Sequence, residues 1–249
     1  MRTTMLSLVV CLFIFFAVPL VSRGAAQLFE KDLIRTSGGD LEITFIGHGT
    51  LMFAFSGKII HVDPWSKLAD YSTLPKADII LITHEHPDHL DLSVLPAIRT
   101  EKTELITTKT CAEKILGAIV MNNRDVKSVQ GLTIEAVPAY NIVHMRSEGN
   151  PFHPKGNGNG YLITFGNTKV YVAGDSENIP EMKQLKGIDI AFLPMNLPYT
   201  MTPEMAADAA RGFQPKILYP YHFGETDVPK LQALLKDEKG IEIRLRKMN

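Results

Sequence analysis

Residues 84 to 89 read His-Glu-His-Pro-Asp-His and follow directly on the run Asp78-Ile-Ile-Leu-Ile-Thr83. Four of these six, His84, His86, Asp88 and His89, carry imidazole or carboxylate donors suited to a borderline-soft divalent metal. The chemistry such a set could do is hydrolysis, which needs ligands to fix an ion and an open position for water. One helical face cannot hold the cluster, because residues two apart on a helix do not face each other. Pro87 biases His86 toward extended backbone. The segment therefore reads as a strand, a metal-binding loop and the start of a helix. A histidine-rich surface turn is the plainer alternative, and it leaves four ligand types in six positions without a reason.

Other residues along the chain could join that chemistry. Asp175 in Ala173-Gly-Asp-Ser176 follows an apolar run, and it could ligate a metal or cap a helix starting near Asn178. His222, between Tyr221 and Phe223, is either a ligand or a buried structural imidazole. His144 and His153 lie in the loop after the strand-like segment Leu132 to Tyr140. His48 and Asp63 stand at the ends of early strands, where they could orient ligands. Asp63 before Pro64 also fits an ordinary turn. His61, inside a strand, reads as structural. Asn141 could touch substrate or orient a ligand. Lys155 could attract an anionic group, although a solvated surface lysine is the commoner arrangement. Trp65 could line a pocket. Gly156-Asn-Gly-Asn-Gly160 lacks the Gly-Lys-Ser/Thr ending of a phosphate loop and reads as turn geometry close to the site.

His84-x-His86-x-Asp88-His89, then Gly174-Asp175-Ser176, then Tyr221-His222-Phe223-Gly224 resembles the motif series of the metallo-β-lactamase superfamily. The resemblance covers nearly the whole chain beyond the N-terminal segment. Gly47-His48-Gly49, Asp63-Pro64-Trp65, Pro138-Ala139-Tyr140-Asn141 and His153-Pro154-Lys155-Gly156 bring it nearer to the compact β-lactamase-like hydrolases than to antibiotic-degrading enzymes. The resemblance implies a four-layer αββα sandwich and a metal-dependent hydrolase with two divalent ions: zinc, with manganese or iron as alternatives. It implies that His84, His86 and one further histidine hold the first ion, that Asp88, His89 and His222 hold the second, and that Asp175 bridges them. Asp88 and Asp175 are the carboxylates closest to the chemistry. The third histidine is either His153, which we favour, or His144; superfamily members often place a histidine where this chain has Asn141. In this reading a metal-bound hydroxide attacks an ester, lactone, amide or phosphodiester bond. A di-iron redox enzyme on the same fold is the first alternative, weakened because such relatives carry Glu at the position of His86. A non-catalytic metal-binding module is the second.

The elements that must position these groups follow from patterning. Leu41 to Ile46 alternates as a strand, and Leu51 to Phe55 with Lys58 to Val62 reads as a hairpin about Ser56-Gly57. Asp78 to Thr83 reads as a buried strand. Helical spacing runs over Leu90 to Ile98 and Cys111 to Gly117, with a short strand from Glu104 to Thr107 between them. Leu132 to Tyr140, Tyr161 to Phe165, Thr168 to Ala173, Ile188 to Leu193, Ile217 to Tyr221 and Ile241 to Arg246 are further strands. A helix opens at Thr202, its N-cap, with Pro203 in the first turn, and runs through Gly212; another spans Val228 to Lys236. Strands interrupted by helices suggest layered sheets covered by helices.

The 249 residues, 45% hydrophobic and 21% charged, suit one α/β domain. Met5 to Val21 is almost wholly apolar after Met1-Arg2, and Ser22-Arg-Gly-Ala-Ala26 supplies small residues. Residues 1–26 therefore read as a signal peptide, with an N-terminal anchor as the alternative, and 27–249 as the hydrolase domain. The expected location is periplasmic or secreted, membrane-anchored only if the segment stays uncleaved. Removing residues 1–26 takes away Arg2 and Arg23 and leaves 24 basic against 27 acidic side chains, a balance of −3. That argues against nucleic acid as a partner; the resemblance to the hydrolases implies a small-molecule substrate. Cys111 alone remains after cleavage, so no intramolecular disulfide can form, and it reads as a small buried side chain.

Overall fold

The computed structural model describes residues 27–248, so the leader reading at 1–26 lies outside the described residues. The first seven strands form one sheet in sequence order: β1 (Glu30–Thr36), β2 (Gly39–Gly47), β3 (Thr50–Phe55), β4 (Lys58–Val62), β5 (Ile79–Leu81), β6 (Glu104–Thr107) and β7 (Ile119–Val120). The pairs from β1 to β4 are antiparallel and those from β4 to β7 parallel. Next come β8 (Val126–Val129), β9 (Leu132–Ala139), a small hairpin of β10 (Met145–Ser147) and β11 (Asn150–Pro151), β12 (Gly158–Phe165), β13 (Thr168–Val172), β14 (Ile190–Pro194), β15 (Ile217–Tyr221) and β16 (Glu242–Ile243). The second sheet has the order β16-β15-β14-β13-β12-β9-β8 and is parallel from β13 to β16.

The two sheets pack face to face. Leu51, Phe53, Ile60, Ile79 and Leu81 meet Ile134, Tyr161, Phe165, Phe192 and Tyr219 in one central core. Ile80 and Ile82 point the other way, into a second cluster with Leu90, Leu95, Ile98 and Cys111. There α1 (Leu95–Ile98) and α2 (Lys109–Ala112) cover the first sheet. Tyr171, Ala191, Leu193 and Leu218 likewise point outward under α3 (Pro203–Phe213) and α4 (Val228–Leu235). The result is a four-layer αββα sandwich. It explains why Ile79 to Ile82 and Ile190 to Leu193 are continuous apolar runs: parallel strands covered on both faces have no polar side. Thr202 caps α3, its hydroxyl accepting from Met205 N at 3.2 Å, with Pro203 behind it.

Several elements differ from the sequence pattern. Leu90 to Ile98 is helical only at its end, because Asp91 Oδ1 accepts from Ser93 N and Oγ and its Oδ2 from Ser66 N, tying the chain into turns. The apolar spacing there records burial, not a long helix. The helix around Cys111 begins earlier, at Lys109 on its Thr108 cap, and ends after Ala112. Only Glu242 and Ile243 of the final segment pair with the sheet. No strand is legible in the sequence over Glu30–Thr36, because β1 is an edge strand alternating between exposed and half-buried positions. Cys111 is fully buried, and burial raises its thiol pKa.

Candidate metal centre

Parallel strands end on the same edge of a sheet, and that edge carries the site. Thr83 to His89 follows β5, Asp175 follows β13, His222 follows β15, and Asp63 follows β4. His48 and Asn141 follow β2 and β9 on the same side. Backbone hydrogen bonds join the two sheets here: His222 N donates to His48 O at 3.0 Å and Asn159 N to Thr83 O at 3.0 Å. The Tyr161 hydroxyl adds a buried bond to Ile82 O at 2.8 Å.

His48, Asp63 and His222 all have left-handed backbone, with φ of +50°, +45° and +46°. Non-glycine residues rarely adopt it, and such strain persists where the surroundings over-determine the chain. All three turn a side chain into the cluster at a strand end. Gly49 leaves the room this needs, since a Cβ there would lie 2.9 Å from His89 Cε1 and 3.3 Å from His222 Cδ2.

The donors gather into two adjoining groups. In the first, His84 Nε2 lies 3.0 Å from His86 Nδ1, which lies 3.2 Å from His153 Nε2. Asp175 Oδ2 is 3.2 Å from His153 Nε2 and 3.9 Å from His84 Nε2. In the second, His89 Nε2 lies 3.1 Å from His222 Nε2. Asp88 Oδ2 stands 3.6 Å and 3.4 Å from those two nitrogens, and Asp175 Oδ1 3.4 Å and 3.5 Å. A tetrahedral ion with ligands at about 2.0–2.2 Å would set its donors about 3.3–3.6 Å apart. The distances in the second group, 3.1–3.6 Å, lie close to that spacing, those in the first, 3.0–3.9 Å, bracket it, and Asp175 turns one oxygen to each.

Hydrogen bonds behind the rings assign their tautomers. Asp63 Oδ2 accepts from the Thr83 hydroxyl at 2.6 Å and from His89 Nδ1 at 2.8 Å, while Asp63 Oδ1 accepts from Thr83 N. With its proton donated to Asp63, Thr83 Oγ1 accepts from His84 Nδ1 at 3.0 Å. Asn141 Oδ1 accepts from His153 Nδ1 at 2.6 Å, and the Asn141 amide donates to Glu177 Oε1 and Tyr199 O. His84, His89 and His153 thus carry protons on Nδ1 and present bare Nε2 atoms inward. Lone pairs meeting at such distances, with Asp175 Oδ1 buried and lacking a hydrogen-bond partner, fit a bound cation.

The electrostatics agree. Burial would raise the Asp175 and Asp88 carboxyls, but the surrounding histidines outweigh it and hold both well below the usual carboxylate range. Burial would lower His89, yet Asp175, Asp63 and Asp88 push it up to about 10, so without an ion Nε2 also takes a proton, and a metal bound there would replace that proton. Three carboxylates around one imidazole make a field that calls for positive charge. Burial, joined by neighbouring histidines, lowers His84 and His86 and favours their neutral, ligating forms.

His84, His86, Asp88, His89, His153, Asp175 and His222 are therefore brought together. His48 lies beside them, with Nε2 3.2 Å from Asp88 Oδ2 and its ring 3.7 Å from that of His222. Trp65 packs against His48 at 5.3 Å. His144 is not brought in: its Nδ1 sits 2.6 Å from Glu177 Oε1, and Glu177 also accepts from the backbone N–H groups of Ile142, Val143 and His144. Lys155 also stays outside, bonded to Glu181 Oε1 at 3.0 Å and to the Tyr140 hydroxyl at 3.1 Å, where it caps an outer loop. No helix starts near Asn178 for Asp175 to cap, and Gly158 to Gly160 belong to β12 and not to a turn. His61 is buried and bonded to Pro75 O, as a structural residue would be.

The donors open into a cleft of about 250 Å³ lined also by Arg146, Asn196 and Tyr199. All three lie in the loop regions expected from the sequence to shape specificity, Tyr140 to Gly160 and Pro194 to Met201, but no motif singles any of them out. Thr83 and Glu177 were missed as well, although both adjoin motif residues.

The family described as "Beta-lactamase superfamily domain" matches residues 42–222. A relative from Thermodesulfovibrio yellowstonii named a UPF0173 metal-dependent hydrolase is 31% identical, over 76% of this chain and 80% of its own. Another, from Pelotomaculum thermopropionicum, is 26% identical over 82% of this chain and 96% of its own. A crystal structure from Parabacteroides distasonis, described as a candidate metal-dependent hydrolase, is 50% identical, with TM-score 0.85, over 89% of this chain and all of that one. A diiron β-hydroxylase from Streptomyces venezuelae shares the fold at 18% identity and TM-score 0.65, over 82% of this chain and 52% of its own.

Proposed function

The chain belongs to the β-lactamase superfamily and is a metal-dependent hydrolase, and from that premise we propose that it works with two divalent ions, zinc before manganese or iron. The observation that supports two ions is the pair of donor groups sharing Asp175, one oxygen turned to each. His84, His86 and His153 would hold the first ion, and Asp88, His89 and His222 the second. When bound, the ions would lower the pKa of a coordinated water and polarise the oxygen under attack. Asp63, Thr83 and Asn141 keep the ring nitrogens turned inward and bare. Asp88, with its side chain 30% exposed at the cleft, orients the attacking water, and His48 steadies that carboxylate. The substrate is a small molecule bearing an ester, lactone, amide or phosphodiester bond. The expected place of work is outside the cytoplasm, after removal of residues 1–26.

Elemental analysis of the purified protein, with ester, lactone, β-lactam and phosphodiester panels run with and without a chelator, tests this reading. Two ions per chain and chelator-sensitive hydrolysis support it. Hydrolysis that persists without metal would overturn it. Two irons with oxygen consumption and no hydrolysis would give the function to redox chemistry.

A further inference from the structure

Arg146 lies on β10 and reaches the rim of the cleft. It is the single lysine or arginine lining that cleft among the described residues. No carboxylate pairs with its guanidinium among those residues, and its one polar contact there is an N–H donated to His86 Nε2 at 3.1 Å. The residue is exposed, and a cation–π contact orients its guanidinium. The guanidinium carbon lies 5.2 Å from the centre of the Phe152 ring, and Phe152 packs edge-on against Tyr199 at 5.0 Å. The backbone oxygen of Tyr199 in turn accepts from Asn141, the residue that orients His153.

The contact with His86 is a weak resting place for a guanidinium. A neutral imidazole has one N–H and one acceptor. Once Nδ1 of His86 faces an ion, the ring proton sits on Nε2, and a donor then meets the donors of Arg146. The fork is left with five N–H groups, no anion, and a cleft in front of it. Guanidinium binds carboxylate and phosphate through paired, charge-assisted hydrogen bonds.

We propose that Arg146 determines specificity by binding a carboxylate or phosphate monoester on the substrate, so that this hydrolase acts on small anionic molecules. The proposal deepens the hydrolase reading of the same cleft and rests on it.

Calorimetric titration of the metal-loaded protein tests it. Glutarate, 4-phosphonobutyrate and butyrate are the probes, in wild type, R146Q and R146K. One carboxylate can meet the ions in all three probes, and only the first two carry a second anion. Wild type should bind at least one of them about tenfold or more tighter than butyrate. R146Q should lose that preference with metal content and butyrate affinity unchanged, and R146K should keep part of it. Glutarate ahead of the phosphonate names a carboxylate, and the reverse order a phosphate; either supports the proposal. Equal binding of all three probes to wild type would overturn it, and so would a preference that survives in R146Q. Because the readout is binding, an anion preference without turnover on the ester and phosphodiester panels supports this proposal while counting against the hydrolase reading.

Discussion

Asp63 Oδ2 accepts the Nδ1 proton of His89 at 2.8 Å, and both side chains are almost wholly shielded from solvent. The same carboxylate takes the Thr83 hydroxyl, which in turn accepts from His84. One acid thus sets the tautomer of a ring in each donor group. Asp63→Asn would present an N–H to a ring N–H and push the His89 proton onto Nε2, the atom that must be bare. Metal affinity should fall about 10–100-fold with the fold intact. Equal metal affinity in the variant would remove Asp63 from the site.

His153 and His144 should separate cleanly. His153→Ala removes a donor from the first group and should cost at least as much metal affinity as loss of an outer partner, about 10–100-fold, together with most of the activity. His144→Ala should keep both, since His144 faces Glu177. Metal content and turnover of the two variants decide it, and the reverse result would move the ligand role to His144.

Asp175→Ala takes an oxygen from each donor group. Occupancy of both ions should drop, and hydrolysis with it, while the two large cores keep the chain folded. Circular dichroism with metal stoichiometry checks this; full occupancy of either ion would rule out the bridge.

How much of this was legible beforehand depended on distance along the chain. The ligands were readable because six donors arrive as one hexapeptide and two strand-end dipeptides. His153 was already favoured over His144 through its His-Pro-Lys-Gly motif, but what holds His144 aside was not readable: Glu177 ties down the 142–144 backbone through three N–H bonds. Arg146 was hidden for a related reason: a lone arginine in a loop has no pattern until the hairpin folds it over His86. On the fold, continuous apolar runs marked the doubly covered strands, whereas edge strand β1 left no periodic signal.

Acid should weaken the fold at Asp32. Asp32 accepts from Tyr219 and Arg246 and pairs with Arg244 at 3.4 Å. Burial opposes ionisation there, but those partners outweigh it, and the Asp32 pKa is lowered. A depressed folded pKa means the unfolded chain binds the proton more readily. The stabilisation is therefore present above the ordinary carboxylate range near pH 4 and is lost as pH falls through the lowered value. Denaturant midpoints measured between pH 7 and pH 3 should fall less steeply in Asp32→Asn than in wild type. An identical slope would show that Asp32 contributes nothing to acid sensitivity.

Export should leave a mark on the mature chain. Mass spectrometry of protein from its native host should find a start near Gln27; a mature pool retaining Met1 would favour an anchor.

His89 and His222 touch across the cleft although 133 residues separate them, and they come from opposite sheets. No short segment of nascent chain can bring both donor groups together. The centre therefore comes into being late, when the sheets dock, and closing such distant contacts is slow. Metal then acts as a latch on a nearly finished protein, since binding the native state alone stabilises it by mass action. Stripping it should speed the opening of the ligand-bearing edge while leaving the rate of folding almost untouched.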